Sequence, residues 1–470
     1  MGTVAKLAKF NDAVHGVVWG VPMLALIIGT GVYLSVRLGF IQARRFGYMW
    51  RGTIGEIFKG GFGSDREAKH EGEVTPFRAM TAALASSVGV GNIAGVAGAV
   101  VVGGAGAIFW MWVSAFFGMA TKFAEIVLAL RYRRTEPDGS HFGGAMYYIE
   151  QGLGLTSFAK IFAVFGGLCC FGIGNATQAS EIAYAVNTLF GDGRDLSLVT
   201  GVILAAVTAI ALMGGIQRIS SVTALLVPFM ALIYVLGGTW IILSNLSEIP
   251  RAFAEIVGGA FSLRSISGGL MGSAMVRAAR HGIARGVFSN EAGLGSATMA
   301  HAASSAEDPV RQGLWGIFEV FIDTIVVCTV TGLVLVISNR HIGSALTGGA
   351  LTADAFGSLF RFGGNFVRVS IVLFAFSTIL GWSYYGECCW GYLSGGSAAV
   401  RFVYRCVYAA VSFIGAAASW FSGGTSTLEL MWSIADTLNG LMALPNLIAL
   451  LLLSDEVVRI TRRHFTRIPD

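Results

Sequence analysis

Runs of apolar residues close to the length of a bilayer crossing recur along this chain, and they restrict its fold more than any other feature. Residues 17–36, 105–130 and 438–453 approach or exceed the ~20 apolar residues that a membrane helix needs. In hydrocarbon, backbone that leaves the helix must be buried in protein or line a wet cavity. Charged residues make up 13% of the 470, and 54% are hydrophobic, where a soluble protein carries roughly 25% charge. The chain reads as an all-α, multi-pass membrane protein embedded in a lipid bilayer.

Apolar runs with glycine, proline and charge punctuation give about eleven transmembrane helices, near 16–37, 77–101, 105–131, 158–190, 196–214, 221–244, 268–303, 311–338, 366–393, 401–421 and 428–454. The organisation expected is a first part, 1–37, holding an outer N-terminus and the leading helix. A cytoplasmic segment, 38–76, follows, then a core, 77–454, and a basic cytoplasmic tail, 455–470. Residues 40–58 mix Phe40, Phe46, Met49, Trp50 and Phe58 with arginines, as an amphipathic helix on the membrane does. Lysine and arginine concentrate on one side of this topology: Arg37, Arg44, Arg45, Arg51, Arg131, Arg133, Arg134 and the tail Arg459, Arg462, Arg463 and Arg467. The positive-inside rule then sets the N-terminus outside and the C-terminus in the cytoplasm, in a cell (inner) membrane. The first residues lack the cleavage pattern of a signal peptide.

Two of these segments are interrupted. Ser86-Ser87-Val88-Gly89-Val90-Gly91-Asn92-Ile93-Ala94-Gly95 places glycines and an asparagine in mid-helix, and Ser289-Asn290-Glu291-Ala292-Gly293-Leu294-Gly295-Ser296 does so downstream. One leading helix plus two sets of five, the first helix of each set broken, is the pattern of a 5+5 inverted repeat, with repeats at 77–244 and 268–454. Where the first inner half-helix ends, near Val88, unpaired carbonyls suit a hard cation. Where the outer half begins, near Gly91, free amides suit a carboxylate, and Asn92 adds a side-chain oxygen. The bland alternative is a helix-packing seam from Gly91 to Gly95. A dinucleotide loop is excluded by the G-x-G-x-x-x-G spacing and by the lack of a βαβ pattern.

The strings SSVGVGNIAGVAGAV, FGIGNATQ, RGVFSNEAGLGSATMAHAA, DTIVVCTVTGLVLVI, AFSTILGWSYYGE and WSIADTLNGLMALPNLIALLLLS resemble the alanine/glycine:cation symporter family, in order from about residue 16 to 454. The resemblance implies a leucine-transporter-like fold and Na+-coupled uptake of alanine or glycine, H+-coupled in some members. Val88 to Asn92 also match the V-G-x-G-N pattern of sodium-coupled neurotransmitter symporters. That match implies that the carbonyls of Ala85 and Val88 face Na+, while Gly89, Val90 and Gly91 face the substrate carboxylate. Ser377 and Thr378, adjacent hydroxyls on a later helix, suit the same sodium site, although such residues commonly bond back to their own helix. The family implies that Phe288 and Gln178 belong to the substrate pocket. Beside them Asn92 can ligate cation or substrate, and free carbonyls at Asn290 can hold the substrate ammonium. Thr378 shares a helix face with Trp382, and Trp382, Phe288 and Phe171 together would shorten the pocket and exclude larger side chains. Glu291 is open to three roles: ligand, neutralising group or helix cap.

The carboxylates Glu125, Glu181, Glu319, Asp323, Glu387 and Asp436 stay outside this site, with gating or capping roles expected for those near helix ends. Arg277, Arg280 and Arg285 require a wet vestibule or snorkelling, since arginine in lipid costs at least ~2.5 kcal/mol. The six cysteines lack zinc spacing and suit small core positions. No cofactor is expected beyond Na+ as coupling ion, no nucleic-acid partner, and no particular oligomeric state. A membrane-embedded enzyme is disfavoured because the seven histidines are scattered and neither HExxH nor a nucleophile elbow occurs. A passive channel differs from a symporter by lacking concentrative, gradient-dependent uptake.

Overall fold

The computed structural model describes residues 3–60, 74–135, 140–191, 194–261, 272–422 and 426–467. Residues 61–73 of the cytoplasmic segment expected at 38–76 lie outside them. The chain opens with α1 (Thr3–Val18), α2 (Val21–Arg37), α3 (Ile41–Arg44) and α4 (Phe46–Gly60). The first interrupted segment forms α5 (Pro76–Ser87) and α6 (Val96–Gly103), followed by α7 (Gly106–Arg131). A short antiparallel ribbon, Arg134–Thr135 with His141–Phe142, precedes α8 (Ala145–Leu153). Then come α9 (Thr156–Phe171), α10 (Thr177–Phe190), α11 (Ser197–Leu212), α12 (Gly215–Ser244) and α13 (Ile249–Ala260). The second interrupted segment is α14 (Gly272–Asn290) and α15 (Thr298–Ala302). It is followed by α16 (Pro309–Val320), α17 (Thr329–Ser338), α18 (Gly348–Leu359), α19 (Gly363–Leu393), α20 (Ala398–Ser422), α21 (Ser426–Leu452) and α22 (Ser454–Thr466).

Among the described residues eight helices are long and apolar enough to cross a membrane, and the bent pair α5–α6 makes nine. Two of the eleven expected segments are met by shorter pieces. Segment 196–214 is the 16-residue α11, and segment 268–303 is α14 plus the short α15. The leading span is longer than expected, running from Lys6 to Arg37. Helices α8, α13, α18 and α22 were not foreseen, because each is too short or too polar to register as a membrane crossing.

Local chemistry sets the helix ends. Thr75 caps α5 by accepting from the Arg78 amide, with Pro76 in the first turn. Asp308 does the same for α16 through the Val310 amide, with Pro309 in the first turn. At three places the helices loosen into π turns: Gly91–Gly95, Gly172–Ala176 and Phe321–Cys328. A π turn inserts a residue and shifts backbone hydrogen bonds, and such turns cluster at functional sites. In packing, α14 runs along α7 and α6, while α5 runs along α12 and α19. Gly381 lets α19 approach α5, since a methyl group there would overlap Ser86 Oγ.

Candidate functional site

The first break begins where α5 stops at Ser87. Val88 turns extended (φ −76°, ψ 91°), and α6 resumes after the π turn, bent 49° from α5. The freed Ala85 carbonyl meets α19, accepting from Ser377 Oγ at 3.4 Å and Thr378 Oγ1 at 3.2 Å. Both hydroxyls also bond back to Phe374 O, at 2.8 and 3.0 Å. Three expected cation ligands thus come together, across 292 and 293 residues of sequence. Val88, three residues after Ala85, is fully buried.

The glycines are contact points. A methyl group at Gly89 would overlap Thr378 Oγ1, one at Gly91 would sit 3.3 Å from the Phe288 ring, and one at Gly174 would overlap Trp382. The first break therefore touches α19 through Thr378 and α14 through Phe288, and the π turn between α9 and α10 touches Trp382. Arg285 covers the Phe288 ring, 5.2 Å from its centre. Trp382 packs on Tyr385, with ring centres 5.5 Å apart. Phe171 is placed differently: its ring partners among the described residues are Tyr404 and Tyr408, so the structure does not bring it to Phe288 or Trp382. Gln178 is buried, with Nε2 donating to Ile173 O at 3.0 Å. Its Oε1 is buried with no hydrogen-bond partner among the described residues. A buried acceptor of this kind favours a donor such as an ammonium group.

Asn92 serves the joint itself. Its Oδ1 accepts from the Gly89 amide at 2.9 Å, and its Nδ2 donates to Ser289 Oγ (2.9 Å) and Asp323 Oδ1 (2.7 Å). A substrate carboxylate at the Gly89 amide therefore competes with Asn92. Asn290 is also committed, donating to Thr324 Oγ1 at 3.1 Å and accepting from the Ala292 amide at 3.0 Å. The sequence reading missed the centre of this network. Asp323, in the π turn between α16 and α17, accepts from Asn92, from Ser289 Oγ (2.8 Å) and from Thr324 Oγ1 (2.7 Å). A carboxylate in an apolar run is the signal that the sequence offers, although Asp323 is expected there to stay outside the site. The two breaks meet through these side chains, since Asn92 belongs to the first, Ser289 and Asn290 to the second.

The second break is chemically unlike the first. Glu291, Gly293 and Gly295 take left-handed φ values of 57°, 94° and 79°. The amides of Gly293 and Gly295 converge on Glu125 Oε1, each at 3.0 Å, joined by Asn446 Nδ2 at 2.5 Å. This is an anion nest already filled by a carboxylate of the protein. The donors of the second break are used internally, whereas the first break has no such resident anion among the described residues. Glu291 accepts from Ser296 Oγ at 2.6 Å, within its own turn. A separate buried chain runs from α7 to α16: Lys122 to Glu319 at 3.1 Å, Glu319 to His301 at 2.9 Å, His301 to Gln312 at 2.8 Å. Gln312 reaches the Pro76 carbonyl at 3.3 Å, and the Ser305 amide donates to Val74 O at 2.7 Å. These bonds strap the foot of α5 to the turn after α15.

Two interrupted membrane helices, meeting inside a helical bundle at a polar joint lined by glycine and aromatic rings, define a secondary transporter. The profile described as the Sodium:alanine symporter family matches residues 4–469, and the chain belongs to that family. It is 47% identical over 458 residues to the sodium/alanine symporter AgcS of Methanococcus maripaludis, covering 96% of each chain. It is 35% identical over 454 residues to a probable sodium/glutamine symporter of Bacillus subtilis, covering 96% of this chain and 89% of the relative. Among solved structures, MhsT in complex with L-phenylalanine superposes with a TM-score of 0.59 at 13% identity, over 83% of this chain and 99% of that one. That likeness fixes a leucine-transporter-like fold. The protein is a multi-pass symporter of amino acids and not an enzyme.

Proposed function

We propose that this chain couples the uptake of alanine or glycine to the Na+ gradient by alternating access, with its N-terminus outside and C-terminus inside a cell membrane. The observation that carries this reading is the Ala85 carbonyl, freed by the break and faced by Ser377 and Thr378 hydroxyls. Neutral oxygens at the carbonyl end of a half-helix are the donor set of a hard monovalent cation. Val88 contributes its carbonyl to the same ion. The substrate carboxylate binds at the amides of Val90 and Gly91, displacing Asn92 where it takes that of Gly89. Gln178 Oε1 accepts from the ammonium group.

Size selection comes from Phe288 against Gly91 and Trp382 against Gly174, which leave room for hydrogen or methyl on the α-carbon. Extra methylenes in a packed site typically cost ~1–3 kcal/mol, a factor of roughly 5–150 in affinity. The M. maripaludis relative, named for sodium and alanine, supports this choice at higher identity than the relative named for glutamine. Asp323 holds the joint and offers a carboxylate to a second cation. The test is labelled-alanine uptake into proteoliposomes under separate Na+ and H+ gradients. Accumulation above equilibrium with Na+ outside, lost when Na+ is equal on both sides, is the expected result. Accumulation driven by a proton gradient alone, or mere equilibration, would overturn the coupling assigned here.

A further inference from the structure

Away from the transport site, a cavity of about 550 Å³ opens between the end of α2, the α3 turn and α22. Its wall carries Arg37, Arg44, Arg45 and Arg462, with the hydroxyls of Thr461 and Thr466, and among the described residues no carboxylate lines it. Arg37 is held by Asp455, outside the wall, and by Tyr33. Arg45 lies over the Phe465 ring, 4.8 Å from its centre. Arg44 and Arg462 are exposed and have no ion-pair partner among the described residues. Like charges gathered round a concave wall repel one another, so a folded chain holds such an arrangement at a cost unless an anion relieves it.

The position identifies the anion. Arg37 is the last residue of the 32-residue span Lys6–Arg37, which puts the cavity at a bilayer boundary. Val36 in the cavity wall and Phe40 between wall residues Gly39 and Ile41 expose 59% and 40% of their surface, an apolar shelf next to a basic hollow. Guanidinium groups bind phosphate oxygens in pairs and more specifically than ammonium groups. Basic pockets between helices at a membrane boundary bind anionic headgroups. We propose that this cavity binds the phosphate of an anionic phospholipid headgroup, whose acyl chains lie on the apolar shelf, and that the lipid ties α22 to the end of the leading span.

The purified full chain in detergent tests this by thermal unfolding with added phosphatidylglycerol, phosphatidylcholine or inorganic phosphate. At saturation phosphatidylglycerol should raise Tm by about 3 °C or more, with less than half that shift from either of the others. An Arg44→Gln/Arg462→Gln variant should unfold with the wild type in phosphatidylcholine and lose the phosphatidylglycerol increment. If the double variant unfolds early, Arg462→Gln alone, exposed on α22, should still lose about half the increment. Equal stabilisation by phosphatidylcholine would overturn the proposal. So would a phosphate effect matching that of phosphatidylglycerol, which would make the ligand a soluble anion, or an increment retained in the variants.

Discussion

At the residue scale, the account depends on a few side chains that each make one decisive contact. Ser377 and Thr378 sit on Ala85 O while also bonding to their own helix, so their removal costs little in folding. The Ser377→Ala/Thr378→Val double variant is expected to raise the Na+ concentration for half-maximal uptake about tenfold or more, the loss of roughly 1.4 kcal/mol. Its unfolding temperature should stay close to wild type, and both quantities are read on the same preparation. Phe288→Ala or Trp382→Ala should widen the pocket, weakening alanine while admitting valine or leucine in competition uptake. An unchanged selectivity profile would remove these rings from the site. The glycines of the breaks are legible in the sequence because a break advertises free backbone, which has few uses in a membrane, and Ser377 and Thr378 are legible as adjacent hydroxyls on a later helix. Asp323 is not. Its importance comes from Asn92, 231 residues away, and no local pattern carries a contact of that range. Asn92 and Asn290 were legible as site residues, yet each spends its hydrogen bonds on holding the breaks together.

At the scale of elements, the caps and the buried pair are the parts that a single substitution can test. Asp308 caps α16 and also bonds His464 on α22, at 2.5 Å. Half-burial pushes its carboxyl up, and the bonds from His464 and from the Val310 and Arg311 amides outweigh that, leaving it below its ordinary value. A carboxyl lowered in the folded state stabilises above its unfolded pKa, ~3.9. That stability is lost as pH falls through the lower folded value. Asp308→Ala should cost about 1 kcal/mol at neutral pH and nothing further in strong acid, seen as unfolding curves that converge at low pH. Lys122 and Glu319 form a fully buried ion pair. Glu319→Gln leaves a buried ammonium without its partner and should cost about 3–5 kcal/mol. Adding Lys122→Met should recover part of the loss, because the glutamine still accepts from His301 and the unpaired ammonium is gone. A double variant no more stable than the single would show that the pair is not what holds α16 to α7. The membrane helices were legible from apolar runs, and both breaks from glycine. The π turns in α16–α17 and the short helices α13 and α18 were not, since neither hydropathy nor glycine marks them.

For the whole molecule, the organising idea is that two half-helix ends share one small volume, so that ion and substrate bind with mutual help. At the first break the Gly89 amide is held by a neutral amide oxygen, that of Asn92, while the second has filled its anion nest with the carboxylate of Glu125. That asymmetry is the reason for placing the proposed substrate carboxylate at the first break. The sequence predicts eleven segments, a leading helix and two sets of five, whereas among the described residues eight helices, or nine with the bent pair, are long and apolar enough to cross a membrane, since pieces such as α11 and α15 are too short to carry that length signature. How the sets meet could not be counted, because it depends on contacts such as Asn92 with Ser289 and Asp323. If Na+ and substrate do share the site, each must tighten the other by the same factor. Alanine binding to the purified protein by calorimetry, in Na+ and then in K+ at equal ionic strength, reads that factor directly. The account predicts affinity about tenfold or more higher in Na+, with the difference largely lost in Ser377→Ala/Thr378→Val. Equal alanine affinity in the two salts would contradict it.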